Sequence, residues 1–312
     1  MNSVLSDFVV TTEHRRFAEF CDACRRYRYI GLYYGSPGVG KTLSARYYAN
    51  WDQIDAYLSN PNASEMELPQ VAGSQTVFYT PAVVNSPRRI EEDIWRLRQG
   101  LFSILMTELD QEEHLLRETA SIDRRAKRYL QLYDFDGNAP LAKALIEDGL
   151  TLQELFAIYR HKRSIASDPT TLLMIDEVDR LKTAALEQVR DIFDHGSLGV
   201  VLIGMPGIEK RLSRYPQLYS RVGFVHAFRP LSEAQVRKLL QQKWVPSGVV
   251  LPKKGVVDEG ARAAIIRVTG GNFRLLHRLM TQIARLVEIN ALKTVTGEVV
   301  DAARESLVIG TA

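Results

Sequence analysis

The chain has 312 residues, 46% of them hydrophobic and 25% charged, and a formal net charge of +3. Those values describe an ordinary globular protein of one large or two modest domains. No stretch approaches the ~20 apolar residues of a membrane span, and Met1 to Asp7 lacks the basic region and apolar core of a secretory signal, so no membrane partner is expected and the expected location is cytoplasmic. Charge is uneven: from Arg229 onward 13 Lys and Arg stand against 7 Asp and Glu, while the rest carries 27 against 30. A basic C-terminal portion on a near-neutral body is compatible with a nucleic-acid partner.

Taken in chain order, the first expected element is an amphipathic helix over about 13–27. It carries Cys21 and Cys24, a C-x-x-C with no second Cys or Cys/His pair at zinc spacing, and both thiols lie on or near its apolar side, so they are read as packing residues. A strand (29–34), a glycine-rich loop, a helix (41–50), a Pro/Asn/Ser-rich loop (about 58–75) and a strand (76–80) follow, the alternation of a parallel α/β sheet. The next strand, 171–175, comes about ninety residues later, far more than one crossover helix needs. Extra helices must fill that gap: one opened by Pro87 with Ile90, Ile94, Leu97, Leu101 and Ile104 at helical spacing, a charged one over about 110–132, and one begun by the capping box Thr151-Leu-Gln-Glu154. Then come a helix (183–194), a strand (200–204), a second polar helix and a strand (224–228). Pro230-Leu-Ser232 marks a boundary, beyond which only helices are expected, over about 232–243, 258–269, 272–290 and 297–307. The reading is an α/β domain over 1–230 with a helical insert at about 87–165, then a small all-α lid over 231–312.

The glycine-rich loop carries the chemistry. Tyr29-Ile-Gly-Leu-Tyr-Tyr empties into Gly35-Ser36-Pro37-Gly38-Val39-Gly40-Lys41-Thr42, a G-x-x-x-x-G-K-T between a strand and a helix whose next residue is Leu43. Glycines let backbone N–H groups close around phosphates at a helix N-terminus, Lys41 reaches the β/γ oxygens, and Thr42 ligates Mg²⁺, so ATP and Mg²⁺ are the expected cofactors. The second half of the site is Leu172-Leu-Met-Ile-Asp176-Glu177, an apolar run ending in two carboxylates, as in a buried parallel strand delivering acids to its C-terminal edge. Asp176 would hold the Mg²⁺ water shell. Glu177 would orient and deprotonate the attacking water, which points to hydrolysis.

On these residues the chain resembles the AAA+ ATPases. That resemblance implies an AAA+ P-loop core with a parallel sheet, a lid arginine that touches nucleotide, and an arginine before the last core strand that reaches a neighbouring subunit's γ-phosphate. Thr269-Gly-Gly-Asn-Phe-Arg274 matches the lid motif and places Arg274 in a first helical turn. Arg211-Leu-Ser-Arg214-Tyr-Pro-Gln-Leu-Tyr-Ser-Arg221 supplies the inter-subunit candidates, Arg221 first and Arg214 second. The polar residue that many relatives carry on the strand after the acidic one is missing from Leu202-Ile-Gly204-Met205-Pro206, which predicts slow or partner-dependent hydrolysis.

Within that superfamily, Leu-Ile-Gly-Met-Pro, Leu-Tyr-Ser-Arg and Gly-Gly-Asn-Phe-Arg look like the transposition regulators of the MuB, TniB and TnsC type. The resemblance implies a homo-oligomer, ring or helical filament, that assembles with ATP on duplex DNA, recruits a transposase, with a target-selection protein as a further candidate partner, and resets by hydrolysis. Phosphate-tracking candidates are Arg88 and Arg89, and Arg124, Arg125, Lys127 and Arg128. The competing readings are a helicase- or clamp-loader-like ATPase and an ExeA-like one, each acting on a protein partner.

Overall fold

The computed structural model describes residues 8–60, 62, 66–69, 75–126, 157, 160–164, 166–242, 244–246 and 256–307. The first helix, α1 (Thr12–Tyr27), starts where the Thr11 hydroxyl accepts from the His14 N–H at 3.1 Å and ends on Arg28 in the left-handed region. Strand β1 (Ile30–Tyr34) runs into the glycine-rich loop, and α2 (Lys41–Tyr48) leaves it. A further helix, α3 (Trp51–Ser59), was not expected; Trp51 and Ile54 are its buried residues at helical spacing. β2 (Thr76–Tyr79) and α4 (Pro87–Ala126) follow. The two helices expected over this stretch are one 40-residue helix, because no Gly or Pro interrupts 101–126. The expected capping box at Thr151–Glu154 lies outside the described residues.

β3 (Leu172–Ile175) leads into a 3₁₀ turn (Val178–Arg180) and α5 (Thr183–His195), then β4 (Gly199–Gly204). The expected second polar helix is two short ones, α6 (Ile208–Leu212) and α7 (Pro216–Tyr219), broken because Pro216 cannot continue a helix from residue 215. β5 (Val222–Ala227) completes the sheet.

The strand order is β2-β3-β4-β1-β5. β1 pairs in parallel with β4 (Leu32 opposite Leu202) and with β5, and β3 pairs in parallel with β4. β3 and β4 are buried along their whole length, as expected for strands covered on both faces, whereas β5 at the edge is partly exposed. β4 therefore lies between the strand feeding the glycine-rich loop and the strand carrying the acids. Their C-terminal ends meet in the place where open α/β sheets bind ligands.

α1 packs on the sheet closely enough to require glycine at position 31. A Cβ there would sit 2.4 Å from Cys24 Sγ and 2.7 Å from the Phe20 ring. Cys21 and Cys24 are fully buried free thiols, and burial pushes Cys24 up to about 12, so both serve packing as neutral thiols. Gly31→Ala is expected to cost about 2 kcal/mol, in the range of overpacked cores, because the Cys24 thiol and the Phe20 ring must both give way. Urea unfolding of the two proteins checks this; equal midpoints would show that α1 lifts off freely.

The remaining elements are α8 (Glu233–Gln241), β6 (Val256–Val257), α9 (Glu259–Thr269), α10 (Phe273–Ile289), β7 (Thr294–Val295) and α11 (Gly297–Glu305). Ser232 and Gln235 form a capping box on α8, with Gln235 N–H to Ser232 Oγ 3.3 Å and Ser232 N–H to Gln235 Oε1 2.8 Å. On α10, Leu276, Leu279, Met280, Ile283 and Val287 are buried against Leu239, Ile265 and Val300. A pure helix set was expected here. The difference is the parallel pair β6–β7, with Val257 opposite Val295, too short to carry any alternation signal.

Two compact units emerge from the packing: Met1–Asp52, Phe78–Glu91 and Thr171–Ala312 in one, Gln53–Val77 and Glu92–Thr170 in the other. The C-terminal helices and the nucleotide loop share the first unit. In the second, Ile94, Leu101 and Ile104 of α4 are buried, and Arg98 Nε meets Asp168 Oδ2 at 2.6 Å. Among the described residues no helix is long and apolar enough to cross a membrane.

Candidate active site

The loop Gly35–Gly40 bends through two left-handed glycines, Gly38 (φ +81°) and Gly40 (φ +108°), the second being the N-cap of α2. Gly38 is held to glycine by space as well: a Cβ would lie 2.6 Å from Asn272 Oδ1 and 2.8 Å from Arg274 Cβ. Ser36 and Pro37 are exposed, Val39 is buried, and Leu43 in the first turn of α2 is exposed.

Lys41 is nearly buried, and its Nζ donates to the Gly35 carbonyl at 2.5 Å and the Ser36 carbonyl at 2.9 Å. Burial lowers the ammonium's pKa, while the Asp176 and Asp179 carboxylates act against that shift. Thr42 Oγ1 donates to Asp176 Oδ2 at 2.6 Å, although the two residues are 134 apart in sequence. Asp176 is buried, accepts from the Glu177 N–H at 2.8 Å, and ties β3 to β2 by donating its own N–H to the Tyr79 carbonyl at 2.9 Å. A hydroxyl and a carboxylate oxygen this close are the hard oxygen donors Mg²⁺ prefers, so the residues present fit that ion and Thr42 and Asp176 would hold it.

Glu177 has φ 48°, a left-handed conformation that costs a non-glycine residue about 1–2 kcal/mol. The turn from strand to 3₁₀ helix aims Asp176 and Glu177 in different directions. Glu177 lines the same cavity as Lys41 and Thr42, and its carboxylate is ion-paired with Arg180.

The cavity has a volume of about 790 Å³, within the range of small-molecule sites. Its other wall comes from the C-terminal helices. Asn272, the N-cap of α10, donates from Nδ2 to the Pro37 carbonyl at 2.8 Å, and the Arg274 N–H donates to the Gly38 carbonyl at 2.9 Å. Arg274 therefore stands in the first turn of α10 at the cavity wall, beside the glycine-rich loop. Trp244 and Phe273, with ring centroids 5.4 Å apart, line the same cavity, as do Phe8 and Tyr47, stacked at 3.8 Å.

Sequence reasoning missed Asp179, Asn272 and Arg180. Asp179 Oδ2 accepts from the Met205 N–H at 2.8 Å, so a carboxylate from the 3₁₀ turn occupies the end of β4 where no polar strand residue was found. Its spacing in Asp176-Glu-Val-Asp179 was visible, but its meeting with Met205 depends on β3 lying beside β4.

The inter-subunit arginine candidates differ sharply. Arg221 forms a fork with Asp194, Nε to Oδ1 2.5 Å and Nη2 to Oδ2 2.7 Å, and also bonds the Gln217 carbonyl. Arg211 is bonded to the Asp179 and Leu181 carbonyls. Arg214 is exposed and, among the described residues, its guanidinium has no ion pair or hydrogen bond. Of the proposed DNA-contact residues, Arg88 and Arg89 are exposed in the first turn of α4; Arg124 and Arg125 belong to α4 without described side chains; Lys127 and Arg128 lie outside the described residues.

A glycine-rich loop after β1, acids after β3 and one strand between them define a P-loop nucleoside triphosphatase with a helical wall over its site. The chain belongs to the AAA domain family, whose model matches residues 24–212, and it is an AAA+ ATPase. A Staphylococcus aureus protein described as a potential ATP-binding protein is 39% identical over 308 residues, 97% of each chain. The Aeropyrum pernix ORC1 protein, solved in complex with DNA, has a TM-score of 0.50 at 16% identity over 96% of this chain. The present chain spans 66% of that protein's length. The ORC2 protein of the same organism, in ADPNP-ADP complexes, also has a TM-score of 0.50, at 13% identity over 98% of this chain and 71% of the other. At such identities the likeness concerns the fold.

Proposed function

We propose that this ATPase is an assembly-dependent regulator of DNA transposition, of the MuB, TniB and TnsC type. With ATP and Mg²⁺ it associates with copies of itself on duplex DNA, recruits a transposase, and resets on hydrolysis. Lys41 binds the β/γ-phosphates, Thr42 and Asp176 hold Mg²⁺, which screens phosphate charge when bound, Glu177 takes the proton of the attacking water, and Arg274 contacts nucleotide from α10. The observation that carries the assembly is Arg214, exposed and unpartnered between α6 and α7, and so able to offer its fork to a neighbour's γ-phosphate without first breaking a bond. Arg221 would have to give up Asp194 to do the same.

Arg214→Ala is therefore expected to keep ATP binding and lose turnover by about 10³-fold, the scale of a trans-acting arginine. Mixing it with Lys41→Ala should restore activity, because the intact loop of one chain then meets the intact arginine of the other. Rescue with Arg221→Ala in place of Arg214→Ala would move the role to Arg221.

The DNA part is supported by Arg88 and Arg89 exposed at the start of α4, by the basic C-terminal portion, and by the DNA complex of the ORC1 protein. Duplex affinity measured by fluorescence anisotropy with a slowly hydrolysed ATP analogue should fall steeply with salt and change little when the sequence is scrambled. Replacing Arg88 and Arg89 together with Ala should reduce the salt slope by about 2, roughly one per lost phosphate contact. No duplex affinity at low salt would favour the second reading, a helicase-like, clamp-loader-like or ExeA-like ATPase with a protein partner. Val83 and Val84, 77% and 83% exposed on the loop after β2, favour that alternative.

A further inference from the structure

The Lys41 ammonium carries three N–H donors, and backbone holds two of them: Nζ donates to the Gly35 carbonyl at 2.5 Å and to the Ser36 carbonyl at 2.9 Å. The remaining partner is the Met205 thioether, with Sδ 4.0 Å from Nζ. Thioether sulfur is a weak acceptor, so a phosphate oxygen takes over this third donor at little cost. Met205 directly follows β4. Its N–H is bound to Asp179 Oδ2 at 2.8 Å, and the Gly204 carbonyl beside it accepts from the Gly35 N–H at 3.3 Å. Those two bonds fix the place from which the sulfur reaches the ammonium.

Small molecules in water can also reach that sulfur. Met205 is 38% exposed and lines the cavity. Among the described residues the other exposed methionine is Met66, at 39%, which belongs to the second compact unit; Met174 and Met280 are buried. Cys21 and Cys24 are fully buried, and burial raises both thiols so that they stay neutral, which protects them from oxidants that attack thiolates. The sulfur open to water at the nucleotide cavity is therefore a methionine's.

We propose that Met205 is an oxidation site at which a peroxide switches off nucleotide capture. A lone pair on Sδ attacks one peroxide oxygen, and the S–O bond forms as the O–O bond breaks. The sulfur loses two electrons, the peroxide is reduced, and the displaced oxygen takes the proton of the transferred one and leaves as water. The product sulfoxide puts a strong acceptor oxygen beside Nζ, where it occupies the N–H that a β/γ-phosphate oxygen otherwise receives. The proposal rests on Lys41 binding the triphosphate. It gives a consequence to the missing polar residue after β4: a sulfur in that place opens the site to an oxidation that sulfoxide reductases reverse.

The test treats the full chain with hydrogen peroxide, follows Met205 and Met66 by peptide mass spectrometry, and measures KM for ATP, kcat and thermal unfolding. Oxidation of Met205 should raise KM about tenfold, the scale of one charge-assisted hydrogen bond that phosphate must displace, with a smaller change in kcat and the unfolding midpoint retained. Methionine sulfoxide reductases should restore KM. Met205→Leu, a swap that conserves volume, should hold its own untreated KM through peroxide, whereas Met66→Leu should respond like wild type. A slowly hydrolysed ATP analogue with Mg²⁺ should slow oxidation of Met205 and not of Met66. Four results overturn the proposal: Met205 staying reduced while Met66 is oxidised, an unchanged KM with Met205 fully oxidised, an equal rise of KM in Met205→Leu, or oxidation of Met205 as fast with the analogue as without it. If Met205→Leu does not fold, a KM that stays raised after Met205 has been reduced back overturns it. Lys41→Ala separates the two levels. Wild-type ATP affinity in that variant removes the phosphate role of Lys41 itself, whereas lost affinity beside a wild-type KM that peroxide leaves unchanged removes only the role of Met205.

Discussion

Lys41→Ala is expected to lose ATP binding by at least about 100-fold, which corresponds to roughly 2.7 kcal/mol. The size follows from the position of the ammonium. It is nearly buried, charge-assisted bonds to phosphate are about twice as strong as neutral ones, and no other cation reaches into the glycine-rich loop from α2. Its bonds to the Gly35 and Ser36 carbonyls hold the ammonium against the glycine-rich loop, so without Lys41 that loop loses the cation meant for the β/γ oxygens. The substitution also removes two hydrogen bonds that shape the loop, so calorimetric titration with ATP belongs beside a melting curve. Wild-type affinity in a folded Lys41→Ala would mean that nucleotide binds elsewhere.

Glu177→Gln should do the opposite to binding and the same to turnover. Loss of a general base typically costs 10²–10⁴ in rate, while a neutral amide of the same shape leaves the phosphate contacts of Lys41 and Thr42 intact. The change also breaks the ion pair with Arg180, but that pair is exposed, so folding should be affected by no more than about 1 kcal/mol. Single-turnover hydrolysis should then be slow with ATP fully bound, and, on the proposed ATP-dependent assembly, light scattering should show complexes that persist longer than the wild type's. Normal single-turnover rates would eliminate Glu177 as the base.

Much of this site was legible in the sequence because its parts are local. A glycine-rich loop needs left-handed backbone at fixed offsets, which only glycine takes at no steric cost, and Gly38 and Gly40 take it. A buried parallel strand must be apolar throughout and can end in acids only at its edge, which is what Leu172 to Glu177 shows. Helix caps are equally local: Ser232 with Gln235, and Asn272 before α10, announce their helices through bonds that span three residues or fewer. The helical periodicity after Pro87 was also readable, although the continuity of α4 past residue 104 was not. Its mixed charged stretch lacks both an apolar stripe and a breaker, and a helix without a breaker continues.

What remained hidden depends on pairs far apart in the chain. No spacing rule connects Asn272 to Pro37 across 235 residues, and only the packing of α10 beside the loop brings them to 2.8 Å. Asp179 looked like one more charge on a turn until the neighbouring β4 placed the Met205 N–H against it. The sequence ranks Arg221 above Arg214 only because Leu-Tyr-Ser-Arg221 sits just before the last strand. The tertiary structure separates them because α5 brings Asp194 to one and leaves the other in water. The sequence by itself marked the glycine-rich loop and the acidic strand end as the candidate triphosphate and Mg²⁺ residues, since each stretch is local, whereas the meeting of Thr42 with Asp176 across 134 residues is the work of the fold. Which arginine is free and which helix closes the cavity were decided only by the fold, because each depends on a long-range neighbour that local chemistry does not specify.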